Sequence, residues 1–157
     1  MIAAFMAVLL AAGAAAVEAP SVTITGVNGE TRSLQVSDLQ KLAVRDVSVT
    51  DPHSKELTRY RGVSLATLLS LVGTPAGETL RGKSLALHVE VEASDGYIVC
   101  FSVAELDAGT GSTDALLAFE HEGKPLGNDI GPLRLVVPTD KRAARWVRQV
   151  VSVKVLK

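Results

Sequence analysis

Polar and apolar residues alternate along most of this chain, in short runs. Across residues 21–36, Val22 and Ile24 stand before Asn28-Gly29-Glu30 and Leu34 and Val36 after it. This period of two predicts two strands joined by a hairpin turn. Val47 and Val49 lead into the turn-forming Asp51-Pro52-His53-Ser54, and residues 57–61 read as the return strand. Leu85, Leu87, Val89 and Val91 alternate with Ala86, His88, Glu90 and Glu92, which predicts a strand with one buried and one wetter face. Ser94-Asp95-Gly96 turns it into the run 97–101, because Asp-Gly supplies the backbone freedom a tight hairpin needs. Residues 115–120, residues 133–137 and the stretch carrying Val147, Val151, Val153 and Val155 predict the remaining strands.

The period becomes helical most clearly after Ser64, where Leu65, Leu68, Leu69 and Val72 fall at i, i+3, i+4 and i+7. Ser64 is placed to cap this helix, and Gly73 and Pro75 to stop it. Ser37-Asp38-Leu39-Gln40 has the capping-box form and predicts a short helix running through about Leu42, and Ser102-Val103-Ala104-Glu105, a second capping box, predicts a short helix or turn. Residues 107–114, rich in Gly, Ser and Thr, predict a surface loop. Many short strands with a few capped helices and no βαβ rhythm predict a single α+β domain with mixed β-sheets.

Residues 1–16 carry no charged side chain and set Ile2, Phe5, Val8, Leu9 and Leu10 among alanines. Small residues follow at Ala14-Ala15-Ala16 and Val17-Glu18-Ala19. The run is short for a membrane span and predicts an export signal over residues 1–19, a periplasmic or secreted location, and a domain over residues 20–157. Losing Glu18 from the 17 acidic residues leaves 16 against 16 Lys and Arg. A balance of zero argues against a nucleic-acid binder. One cysteine, Cys100, excludes an internal disulfide and a cysteine-rich metal site. It stands between Val99 and Phe101 and reads as a buried thiol in a strand.

Arg134 lies inside the apolar strand Leu133-Arg134-Leu135-Val136-Val137. A guanidinium there is costly to desolvate unless a bound anion or an internal carboxylate, such as that of Asp95 or Asp129, meets it. Lys141, Arg142, Arg145 and Arg148 follow at once and either extend a positive pocket or form the solvated face of a turn. Trp146 reads as a core or edge-packing residue, with an arginine–ring contact as the alternative. Tyr60, Asp95 and Tyr97 complete the candidate anion- or cofactor-binding set. His53, His88 and His121 have no metal-ligand spacing.

Three passages in order resemble the oxidoreductase molybdopterin-binding domain family, the sulfite oxidase-like fold. They are Tyr60-Arg61-Gly62-Val63-Ser64-Leu65 leading into Leu68-Leu69, then Ser94-Asp95-Gly96-Tyr97, then Leu117-Ala118 through Gly123-Lys124-Pro125-Leu126 to Gly131-Pro132-Leu133-Arg134-Leu135-Val136-Val137-Pro138. The resemblance covers about residues 34–155. It implies that fold and suggests molybdopterin as a cofactor.

Catalytic members ligate molybdenum with a cysteine thiolate upstream of the aromatic-x-Gly motif. The matching segment here, residues 47–54, holds Thr50, Asp51 and His53 and no cysteine. Members commonly carry His-Gly ahead of the arginine strand, where this chain has Asp129-Ile130. Three readings follow. The first is a non-catalytic binding or accessory module with a small anion or small-molecule pocket near Arg134. The second is a molybdenum oxidoreductase with Asp51 or His53 in place of sulfur. The third is a docking module whose basic face at residues 141–148 meets a redox partner protein.

Overall fold

The computed structural model of the chain describes residues 19–52 and 54–157. Apart from Ala19, the predicted export signal lies outside the described residues, and so does His53. Among the described residues no helix is long and apolar enough to cross a membrane.

Among the described residues ten strands form two five-stranded sheets. The first sheet holds β1 (Ser21–Thr25), β2 (Thr31–Gln35), β5 (His88–Ala93), β6 (Ile98–Ser102) and β10 (Val150–Leu156), in the order β2-β1-β10-β5-β6. It is mixed, because β1 runs parallel to β10 while the other pairs are antiparallel. The second sheet is antiparallel and holds β3 (Val44–Thr50), β4 (Leu57–Ser64), β7 (Leu116–His121) and the two-residue β8 (Lys124–Pro125), with β9 (Arg134–Val136) also paired to β7. The predicted α+β class with mixed sheets and short helices holds.

The strand periodicity explains which faces are buried. Val22 and Ile24 on β1, Val89 and Val91 on β5, Val99 and Phe101 on β6, and Val153 and Val155 on β10 all enter one hydrophobic core. Thr23, Glu90, Glu92 and Lys154 alternate with them on the wetter face. Strand β7 behaves differently. Leu116, Leu117, Ala118 and Phe119 are buried in succession, because β7 is the central strand, flanked by β4 and by β8 and β9.

The chain turns where the sequence permits it. Gly29 and Gly96 sit at φ +84° in the β1–β2 and β5–β6 hairpins, a left-handed backbone that glycine enters without a Cβ penalty. Gly62 has a different reason. A Cβ there would stand 2.1 Å from the Leu117 carbonyl oxygen, at the irregular β4–β7 register between Arg61 and Gly62. The glycine of the Tyr60-Arg61-Gly62 motif therefore lets two backbones approach.

The helices are short, and packing rather than length stabilises them. Helix α2 (Leu65–Ser70) starts on Ser64, whose hydroxyl accepts the Thr67 N–H at 3.1 Å, and buries Leu65, Leu68 and Leu69. Gly73, at φ +66°, follows its end as expected. Helix α1 (Val36–Leu39) departs from expectation, since Ser37 lies inside it. The Asp38 carboxylate accepts the Gln35 N–H at 3.1 Å, so Gln35 and Asp38 form the start assigned to Ser37 and Gln40, and the helix stops before Leu42. Ser102 caps α3 (Val103–Leu106) through the Ala104 N–H at 3.1 Å, but Glu105 reaches Arg145 instead of turning back.

Two further expectations fail. Leu85 and Ala86 belong to a 3-10 turn, residues 82–86, which Gly82 at φ +59° opens, and β5 begins only at His88. Cys100 is exposed, because Val99 and Phe101 take the inward positions of β6 and leave it on the outer face opposite Glu90.

Candidate functional site

Arg134 is buried because its strand is interior on both edges. β9 pairs with β7 on one side, and on the other Leu135 donates its N–H to the Val147 carbonyl (2.8 Å) while Leu133 accepts from the Val150 N–H (3.0 Å). This segment thus stitches the second sheet to the lead-in of β10 in the first. The side chain at its centre cannot reach the surface, and Arg134 is only 3% exposed.

The guanidinium meets a built set of partners. Arg134 Nη1 donates to the Tyr60 hydroxyl oxygen at 2.7 Å and to Asp51 Oδ2 at 3.3 Å, and the Tyr60 O–H donates to the same Asp51 oxygen at 2.9 Å. Asp51 Oδ1 accepts the Ser54 N–H at 3.3 Å. The guanidinium carbon also lies 5.5 Å from the Tyr60 ring centre and 5.2 Å from that of Trp146, with the two rings edge to face. Burial, opposed by the Arg134 charge, pushes the Tyr60 phenol up to about 12, so at neutral pH it is a hydroxyl that both donates and accepts.

The β3–β4 loop sets the Asp51 position. Asp51 N–H donates to the Glu56 carbonyl at 2.9 Å, Lys55 N–H donates to the Asp51 carbonyl at 2.8 Å, and Lys55 takes φ +63°. Register does the rest. Tyr60 pairs across β4–β7 with His121, whose ring centre lies 6.0 Å from that of Tyr60, and Arg134 pairs across β9–β7 with Ala118.

This cluster forms the floor of an open pocket of about 250 Å³, lined also by Ser54, Glu56, Thr58, His121, Ile130 and Arg148. A second concavity of about 290 Å³ is lined by Ala93, Asp95, Tyr97, Ala143, Ala144, Trp146 and again Arg148. The candidates Asp95 and Tyr97 therefore do not meet Arg134. Asp95 accepts the Tyr97 N–H at 3.0 Å as turn chemistry, and the Tyr97 O–H donates to the Ala144 carbonyl at 2.7 Å. Neither Asp95 nor Asp129 is the carboxylate opposite Arg134; Asp51 is, because the hairpin loop delivers it beside β9.

The basic run divides. Arg145 is engaged internally: its Nε and Nη2 donate to Asp140 at 2.8 and 2.7 Å, Nη1 donates to Glu105 at 2.8 Å, and these bonds hold its proton more tightly than usual. Lys141 and Arg142 are exposed and line neither concavity. Arg148, exposed and without an ion pair among the described residues, lines both. Trp146 is a core residue, with its indole N–H donated to the Val137 carbonyl at 3.0 Å.

Sequence reasoning undervalued His121 and Arg148 as pocket residues. The signal for His121 was its pairing opposite Tyr60, which spacing alone does not reveal.

A thiolate-bound molybdenum centre does not fit the residues present. Cys100 stands on β6 in the other sheet, and the one carboxylate on the pocket floor already accepts from Ser54, Tyr60 and Arg134. Among the described residues no three His, Cys, Asp or Glu side chains gather as a metal site.

No curated protein sequence matches the chain. Among solved structures, the crystal structure of the sulfane dehydrogenase SoxCD from Paracoccus pantotrophus superposes with a TM-score of 0.65 at 18% identity, covering 86% of this chain and 37% of that one. The chain thus spans little more than a third of that relative, and the likeness is one of fold. The sequence pattern of the oxidoreductase molybdopterin binding domain matches residues 48–157, a range that contains Asp51, Tyr60, Arg134 and Arg148. The chain belongs to the oxidoreductase molybdopterin-binding domain family.

Proposed function

We propose that this domain is an exported, non-catalytic binding module that takes a small anion or small polar molecule in the pocket above Arg134. One observation carries the reading: a buried Asp51–Tyr60–Arg134 cluster floors a pocket whose rim cation, Arg148, has no ion-pair partner among the described residues. The floor arginine is neutralised by its own carboxylate, so the cation left to attract an anion is Arg148, whose charge Glu56 on the same rim partly offsets. The chemistry this reading assigns to the pocket is recognition by charge and hydrogen bonds, with no thiolate among the described lining residues. Within the basic run, Lys141 and Arg142 form an exposed face available to a partner protein.

The test is a phosphate titration of the folded domain at constant ionic strength, followed by amide shifts. Shifts confined to residues around Asp51, Tyr60 and Arg148, and lost in Arg148→Glu, are the expected result. Stoichiometric molybdenum in protein purified from its native host, or phosphate binding indifferent to Arg148, overturns it.

A further inference from the structure

We infer that the Asp51 side chain occupies a carboxylate-binding site formed by Arg134 and Tyr60, and so bars external anions from the pocket floor. The inference rests on the binding-module reading for its biological meaning, and on three observations for its physics.

Arg134 is 3% exposed and Asp51 6% exposed, so the pair lies away from bulk water, where an unmatched guanidinium is strongly unfavourable. The match is loose. A single Nη1–Oδ2 contact at 3.3 Å replaces the two-pronged geometry that arginine and carboxylate prefer, and Arg134 Nε is buried without an acceptor among the described residues. The carboxylate is nonetheless hard to displace. It is held by the Ser54 N–H, the Tyr60 O–H and a loop closed by backbone bonds between Asp51 and residues Lys55 and Glu56. A tethered group of this kind competes at an effective concentration that dissolved anions do not reach.

Asp51 is therefore a specificity-determining residue. With it in place the floor is already neutral, and a ligand is read at the rim by Arg148, Glu56 and His121.

The experiment replaces the tethered carboxylate by a free one. Asp51→Ala and the double variant Asp51→Ala/Arg134→Gln are melted in sodium formate and in sodium chloride at equal ionic strength, beside the wild type. Formate should raise the melting temperature of Asp51→Ala well above its value in chloride, with apparent formate affinity about tenfold or more above that of the wild type. The double variant should lose that gain. If Asp51→Ala is unfolded in chloride, formate should restore its fold.

A formate response equal in all three proteins, or none in Asp51→Ala, overturns the inference. So does a wild type that responds as strongly as Asp51→Ala. A wild type that ignores phosphate at Arg148, beside a formate-rescued Asp51→Ala, removes the binding-module reading and leaves this inference standing.

Discussion

Arg145 and Glu105, 40 residues apart in sequence, meet at 2.8 Å, and the same guanidinium grips Asp140 with two further nitrogens while lying 4.3 Å from the centre of the Phe101 ring. One side chain thereby ties the turn after β9 to α3 and β6. This turn also carries Ala144, which accepts from Tyr97, and Trp146, which packs against Arg134. The side chains are partly exposed, so water weakens each contact. Arg145→Ala should cost about 1–2 kcal/mol in urea unfolding, and Arg145→Lys should recover less than half, because an ammonium cannot reproduce the planar fork.

The buried pair behaves differently from a surface bridge. Arg134→Met leaves the Asp51 carboxylate buried with its cationic partner gone, and should cost about 3–5 kcal/mol. The double variant Asp51→Leu/Arg134→Met, with no charge left to desolvate, should regain most of that loss. Equilibrium denaturation of both variants checks the ordering.

Gly62→Ala should destabilise by about 2 kcal/mol or more, since the added methyl falls against the Leu117 backbone, which no rotamer change relieves. Gly29→Ala is the comparison. It has open space around the site and only the left-handed backbone to oppose it, so its loss should be smaller. Thermal melts of the two variants separate steric from conformational cost.

Alkaline stability should report on Tyr60. Its folded phenol titrates near 12, above the ordinary value of 10.0, so the folded state holds its proton more tightly than the unfolded chain does. That contribution is complete below the ordinary tyrosine value and fades as pH rises from there through about 12. Melting temperature against pH should fall more steeply in this window for the wild type than for Tyr60→Phe.

At the acid end the sign reverses. Backbone N–H bonds, that of Gly77 foremost at 2.7 Å with Gly109 at 3.0 Å, hold the Asp107 carboxyl below the usual carboxylate range. Its contribution is present above the unfolded value and lost as pH falls through the lower folded one. The melting-temperature gap between wild type and Asp107→Ala should be largest at neutral pH and close across that acid range.

Much of the fold was legible in local pattern. The hairpins at Asn28-Gly29 and Asp95-Gly96, the Ser64 cap and the leucines of α2 depend on contacts a few residues apart, and sequence spacing reports such contacts directly. Local reasoning failed where a side chain had two partners to choose from. Glu105 faced either its own helix start or Arg145 and met the arginine, and the Asp38 carboxylate accepts the Gln35 N–H, which starts the helix ahead of the predicted Ser37–Gln40 box. Cys100 showed that a strand within an apolar run still has an outward position.

By itself, then, the sequence determined that an arginine in an apolar strand must find an anion, and that no cysteine stands in residues 47–54. Which anion it finds was decided by tertiary structure. Asp51 is 83 residues from Arg134, and only the pairing of β4 and β9 on either side of β7 brings the β3–β4 loop beside it. Desolvation sets the need within one strand; the register of three strands and one loop selects the partner, and with it the charge left over for a ligand.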